Sequence, residues 1–251
     1  MELEGSTVFI TGGAGGIGRA LADAFRHAGS NPVTADLRGA DVDLDVTDSA
    51  AVEAAIAGLD RLDVVVANAG IGIGGTVDDI PRSDWQRTID VNIAGVVHTM
   101  LPAYQRMRVQ RHGSIVLMSS LAGIVATPLM VPYSMSKHAI VGLGASLRPE
   151  AARYGIGVTT VCPGPVETSL LDEHSNTPGL SARRFLVAAA GTPIGADALA
   201  RRVVTAVRKN RALVTPGRAA LLGRAARFAP RLTNRIIASN MRKELRHCSP
   251  S

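Results

Sequence analysis

The chain has 251 residues, 46% of them hydrophobic and 19% charged, which allows a substantial core in one large α/β domain or two small ones and excludes a disordered polymer. Aromatic residues make up 3%, too few for the stacking platforms of single-strand nucleic-acid binders, and two cysteines without C-x-x-C spacing exclude a disulfide framework and fit a reducing cytoplasm. The net charge of +6 divides into −6 over residues 1–200 and +12 over residues 201–251, so the basicity belongs to a tail and says little about the body.

The opening MELEGSTVFITGG starts acidic and reaches a glycine cluster without a basic n-region or a long apolar run. Neither a signal peptide nor a membrane span is expected there. STVFIT reads as a first strand and IGRALADAFRHAG as a helix closed by Gly29. NPVTAD is a second strand, followed by helical DSAAVEAAIAGL. LDVVVANAG is a continuous apolar run bounded by glycine, the pattern of a strand covered on both faces. SDWQRTIDVNIAGVVHTMLPAYQRM predicts one long helix opening with the capping-box spacing Ser83-x-x-Gln86. GSIVLMSS is another strand, Tyr133 to Tyr154 another helix, and GVTTVCPG another strand. Pro149 predicts a kink or an early end in that last helix, because proline removes one backbone bond and crowds the preceding turn. The alternation implies right-handed βαβ units and an open parallel sheet of doubly wound type, in which ligands bind at the carboxyl ends of the strands.

Those strand ends carry the polar and glycine positions. TGGAGGIG, Thr11 to Gly18, stands between the first strand and its helix, where glycines let the backbone approach a pyrophosphate that the helix N-terminus favours. It fits two registers: Gly13, Gly15 and Gly18 match G-x-G-x-x-G, while Gly12, Gly16 and Gly18 match T-G-x-x-x-G-x-G. Spacing alone does not choose between them. Asp36 closes the second strand, where an acid hydrogen-bonds an adenosine ribose and repels a 2′-phosphate, favouring NAD over NADP. Arg38, two positions on, offsets part of that repulsion. Asp45-Val46, Asn68-Ala69-Gly70, Ser119-Ser120 and Pro163-Gly164 mark the other strand ends. Finally, Tyr133 and Lys137 stand one helical turn apart in PYSMSKH, in a chain with 24 Arg and only three Lys. A free phenol with a pKa near 10 is a poor base near neutrality, and an adjacent ammonium favours its phenolate. A compact point charge suits that task better than a guanidinium fork.

In this order and spacing, TGGAGGIG, DLDVTD, ANAG, Asn92 in VNIAG, SIVLMSSLAG, YSMSK and PGPVET resemble the short-chain dehydrogenase/reductase family over roughly residues 5–215. The resemblance implies a single Rossmann-type domain over residues 1–215 with a helical extension over 216–251. It selects the T-G-x-x-x-G-x-G register, and Ser120 over Ser119. It also implies cofactor contacts at Gly12, Gly16, Ile17, Gly18, Asp36, Pro163 and Gly164. Asp45 and Val46 would flank the adenine, Asn68 and Gly70 the adenosine ribose side, and Val166 and Thr168 the carboxamide of the nicotinamide. Tyr133 would be the acid/base, and Lys137 would lower its pKa and bind the nicotinamide ribose. Ser120 would orient the substrate oxygen, and Asn92 would hold a water joining Lys137 to a proton relay. No metal site is assigned. Ala67, where a second Asn is common, and Pro149 depart from the family pattern.

Between Thr168 and about Gly195 the connection is long and partly apolar, as substrate lids often are. With Leu129, Met130 and Val131 it suggests an apolar pocket for a hydrophobic ketone or secondary alcohol. In the tail, Leu221, Leu222, Ala225 and Phe228 form an apolar stripe beside Arg224 and Arg227. Packing over the body or against another subunit is the first reading of that stripe. Contact with an anionic membrane surface, giving a peripheral cytoplasmic protein, is the second, and nucleic-acid binding is disfavoured for want of a recognition motif. The expected protein is an NAD-dependent alcohol/ketone oxidoreductase that forms a homo-oligomer, a dimer or tetramer. The alternative is a non-catalytic dinucleotide-binding regulator.

Overall fold

All four residues of Val64–Ala67 are buried, as are all six of Gly113–Met118. Strands so apolar need cover on both faces, and the computed structural model, which describes residues 1–172 and 175–248, supplies it. Seven strands, β1 (Thr7–Thr11), β2 (Asn31–Asp36), β3 (Val42–Asp43), β4 (Val64–Ala67), β5 (Gly113–Met118), β6 (Ile156–Val161) and β7 (Leu213–Val214), form one sheet. It is parallel throughout, in the order β3-β2-β1-β4-β5-β6-β7.

Strand side chains alternate between two cores. Val8, Ile10, Val64, Val66 and Val116 pack under α1 (Gly16–His27) and α7 (Ala196–Arg208), where Leu21, Phe25, Leu199 and Val203 meet them. Phe9, Val65, Ile115 and Leu117 face the opposite way, against α2 (Ser49–Ala57), α4 (Gly95–Gln110) and α5 (Val131–Ala152). Each such side chain taken fully out of water contributes about 1.5–3 kcal/mol. The chain runs outward from β1 to β3 and then returns to β4 on the other side of β1. That reversal opens a crevice at the carboxyl ends of β1 and β4.

Several elements differ from expectation. The long helix runs unbroken from Arg82 to Gln110 as expected, but a π-helical turn at Asp90–Ala94 interrupts its α-helical bonding between α3 (Arg82–Ile89) and α4. Its N-cap is Pro81, with helix beginning at Arg82, so Ser83 lies inside the first turn and makes no capping box. The π-helical turn carries Asn92, in keeping with the frequent placement of such turns at functional sites. Helix α5 does not end at Pro149 but continues to Ala152, since a proline so near the C-terminus removes one bond and leaves little helix beyond it to disrupt. Strands β3 and β7 have two residues each, too short to leave a periodic signal.

The connection after Thr168 holds a short 3-10 turn at Ser169–Asp172 and then α6 (Ala182–Ala190); its Glu173 and His174 lie outside the described residues. The tail forms α8 (Arg218–Phe228) and α9 (Pro230–Leu245). The buried side of α8 is Ala219, Leu222 and Ala226, packed against Leu121, Val125 and Ala190. The expected stripe is therefore split: Leu222 turns inward, while Leu221 and Phe228 stay 66% and 80% exposed. Helix α9 is tied to α6 through Glu244, which accepts from the Ser181 N–H at 2.8 Å and from Arg184 Nε at 2.7 Å. Burial alone would push the Glu244 carboxyl up, but the Arg184 and Ser181 hydrogen bonds outweigh it and hold the group below its ordinary range.

Candidate active site

A cleft of about 840 Å³ lies over the carboxyl edge of the sheet, within the size of a small-molecule site. Its floor begins at the glycine turn. Gly12 has φ +67°, and a Cβ there would sit 2.8 Å from Ala69 Cα. A Cβ on Gly16 would meet Thr168 Cγ2 at 2.9 Å, and one on Gly18 would lie 2.1 Å from the Gly12 carbonyl oxygen. At Gly15 the nearest atom would be 3.4 Å away. Gly13 is also crowded, but by Thr34 on the β2 side, and it does not line the cleft. Space therefore demands glycine throughout the T-G-x-x-x-G-x-G register and not at the middle position of the other.

Helix α1 starts here with no side-chain cap and no acid in its first turn. The N–H groups of Gly16, Ile17 and Gly18 have no acceptor within the helix and border the cleft. A pyrophosphate fits such an end, on backbone donors and the helix dipole together. At the β2 end, Asp36 accepts from the Ala14 N–H at 3.0 Å and the Leu37 N–H at 2.8 Å, which holds its carboxylate against the glycine turn at the cleft wall. Arg38 is exposed and does not line the cleft. Asp45 and Val46 line the same end, Asp45 being braced by Thr47. Asn68 borders the cleft too, but its amide nitrogen donates to the Thr11 and Gly12 carbonyls, stapling β4 to the glycine turn. The residues present thus fit a dinucleotide.

The other end gathers Ser120, Tyr133 and Lys137 along one wall. Ser119 and Ser120 follow β5 but do different things. Ser119 Oγ donates to the Lys137 carbonyl at 2.8 Å and locks α5 to the strand end. Ser120 Oγ accepts the Ala122 N–H at 3.2 Å, a bond that leaves its own proton unused. Lys137 is 4% exposed; its Nζ donates to the Met118 carbonyl at 3.0 Å and lies 5.5 Å from the centre of the Tyr133 ring. Burial pulls its pKa down to about 8. Cys162 beside it is pushed up to about 11, also by burial, and remains a neutral thiol near neutrality.

Asn92 is fully buried. Its Nδ2 donates to the Ile71 carbonyl at 2.9 Å and Ser136 Oγ at 3.1 Å, and its Oδ1 accepts the Ile71 N–H at 2.8 Å. Both amide hydrogens are thereby committed, and Oδ1 keeps one lone pair. A Cβ on Gly70 would come within 3.2 Å of that oxygen and 3.3 Å of Lys137 Nζ, so both groups close on the same glycine. Pro163, Gly164, Val166 and Thr168 line the facing wall.

Beyond Tyr133 the cleft is mostly apolar, with Thr233 and Asn240 the polar side chains that α9 adds. Met130, Phe185 and Leu186 border it, and so do Leu222, Ala225, Ile236 and Ile237 from α8 and α9. The tail packs over the body, the first reading of its apolar stripe, but its place at the cleft was not expected. Its amphipathic period was visible, but which surface it covers is settled only where the chain returns. Reasoning also missed Ser136, whose hydroxyl donates to the Tyr133 carbonyl at 2.8 Å and ties the start of α5 to the π-helical turn.

The family model for short chain dehydrogenase matches residues 35–179. That stretch carries Asp36, Asn92, Ser120, Tyr133 and Lys137, while the glycine turn lies before it. The oxidoreductase UcpA of Salmonella typhimurium is 36% identical over 192 residues, covering 68% of this chain and 73% of that protein. A 3-oxoacyl-[acyl-carrier-protein] reductase, FabG, of Thermotoga maritima is 32% identical over 194 residues, covering 69% and 79%. A short chain dehydrogenase/reductase from Burkholderia phymatum, solved in complex with NAD, superposes with a TM-score of 0.81 at 28% identity, over 92% of this chain and 96% of that one.

Proposed function

The chain belongs to the short-chain dehydrogenase family, and on that premise we propose an NAD-dependent oxidoreductase that interconverts a hydrophobic secondary alcohol and its ketone. One observation carries the reading: a buried lysine, its ammonium 5.5 Å from the Tyr133 ring, on the wall of a cleft that begins at an uncapped helix N-terminus. A regulator that merely sensed a dinucleotide would have no use for that pair.

The bound nicotinamide would supply or accept the hydride, and the protein has to manage the proton. Ser120, with its hydroxyl proton still to give, orients the substrate oxygen. Tyr133 accepts the alcohol proton in oxidation and returns it in reduction. With its pKa near 8, Lys137 is mostly charged at neutral pH, and a charge so close favours the phenolate. Positioned acid/base groups of this kind contribute about 10²–10⁴-fold. Asn92 holds the Ile71 turn, and its remaining Oδ1 lone pair is placed to accept a water near Lys137 Nζ.

The Asp36 carboxylate, pinned by two N–H groups at the cleft wall, supports NAD over NADP, since its charge would repel a 2′-phosphate bound beside it. The apolar side chains of α6, α8 and α9 support a hydrophobic substrate. Two free cysteines support a reducing, cytoplasmic setting, and a homo-oligomer completes the reading on family likeness.

The test is a screen of hydrophobic ketones and secondary alcohols that follows nicotinamide absorbance with both cofactors, with Tyr133→Phe in parallel. Turnover should fall about 10²–10⁴-fold in the variant while dinucleotide affinity is kept. Comparable turnover by Tyr133→Phe would remove the acid/base role, and turnover of small polar polyols alone would remove the apolar pocket.

A further inference from the structure

The outer face of α8 and α9 carries a second apolar surface, which meets the one turned to the cleft at Ile236. Leu221, Phe228, Leu232 and Ile236 are 66%, 80%, 60% and 54% exposed. Arg224, Arg227, Arg231 and Arg235, exposed on the same two helices, interleave with them. The one acid of residues 201–251, Glu244, is 4% exposed and already engaged by Arg184 and the Ser181 N–H. Among the described residues of α8 and α9, this face therefore offers cations and large apolar groups and no exposed carboxylate.

We propose that the α8–α9 face docks on an anionic phospholipid surface. Large apolar side chains flanked by arginines suit the boundary between acyl chains and charged headgroups, and the two attractions act together there. A second copy is a poorer occupant. A two-fold contact would set the arginines of one face against those of the other, with no acid to separate them. Ile236 belongs both to the exposed face and to the cleft wall, so docking brings the apolar end of the cleft to the lipid boundary. The proposal stands independently of the reaction assigned above, since none of the four arginines, nor Leu221, Phe228 or Leu232, borders the cleft.

The experiment is flotation of the full-length protein with vesicles of pure phosphatidylcholine and of phosphatidylcholine mixed with phosphatidylglycerol. Enrichment on the anionic vesicles of about tenfold or more is expected. Each arginine neutralised near the surface should weaken partitioning by about fivefold, so Arg224→Gln/Arg227→Gln/Arg231→Gln should abolish it. Leu221→Ser/Phe228→Ser/Leu232→Ser should do the same without loss of charge. Dinucleotide binding and melting temperature should be unchanged in both variants, which separates lost docking from lost folding. Equal partitioning onto both vesicle types overturns the proposal, as does wild-type protein that stays unbound. Sedimentation as a dimer that either triple variant dissociates, without flotation, would assign the face to a second copy instead.

Discussion

Lys137 offers a measurement in which the structure sets both sign and size. In the dinucleotide-free protein its pKa is pulled down to about 8 because burial disfavours the charged form, against 10.5 for an exposed lysine. Between those values the folded state has released a proton that the unfolded chain still holds. Unfolding therefore takes up a proton, and the stability of the free protein rises with pH across that window. Linkage through the two values gives a gain of about 1.3 kcal/mol from pH 7 to pH 9, equivalent to about 3–5 °C in melting temperature for a chain of this length. The assay is thermal or urea unfolding of wild type and Lys137→Met at both pH values, and the difference between the two proteins cancels the other titrating groups. The Cys162 thiol, pushed up to about 11 in the fold against an ordinary 9.0, starts to contribute only near pH 9 and is common to both proteins. The wild type should gain about 1.3 kcal/mol relative to the variant. Parallel curves would mean that the ammonium is hydrated, and the argument that burial tunes it beside Tyr133 would fail.

Two further outcomes test the dinucleotide end. Gly18→Ala would set a Cβ 2.1 Å from a backbone oxygen and should cost about 1–3 kcal/mol or more along with dinucleotide binding. Gly15→Ala should cost about 1 kcal/mol or less, the loss of an N-cap preference, and keep binding within about tenfold; equal damage from the two in a titration of cofactor fluorescence would mean the register is wrong. Asp36→Asn keeps an acceptor for the Ala14 N–H but removes the charge, and should move the NADH-to-NADPH ratio of kcat/KM toward NADPH by about tenfold or more. An unchanged ratio would show that Asp36 does not face the 2′ position.

The local signals that the chain carried were those with a period or a dense polar code. Buried valine runs reported the parallel strands, and glycines before a helix reported the tight turn at its uncapped N-terminus, because those features act between near neighbours in sequence. Tyr133 and Lys137 were legible as a pair for the same reason: one turn of helix brings them to one side. Less local features were not legible from spacing alone. The π-helical turn around Asn92 leaves the residue pattern of an ordinary helix, and the choice between Ser119 and Ser120 depends on which hydroxyl meets the Lys137 carbonyl, a contact 18 residues away.

What the sequence determined by itself was therefore the doubly wound α/β plan, the glycine turn and the Tyr–Lys pair, each written in spacings shorter than a helix. Only the folded chain decided that the lysine is buried, that three glycines are forced by Ala69, Thr168 and Gly12, and that the basic tail walls the cleft with one face while presenting another to its surroundings. Burial and steric crowding arise between segments far apart in sequence, and a helical period reveals that an apolar face exists without revealing what covers it.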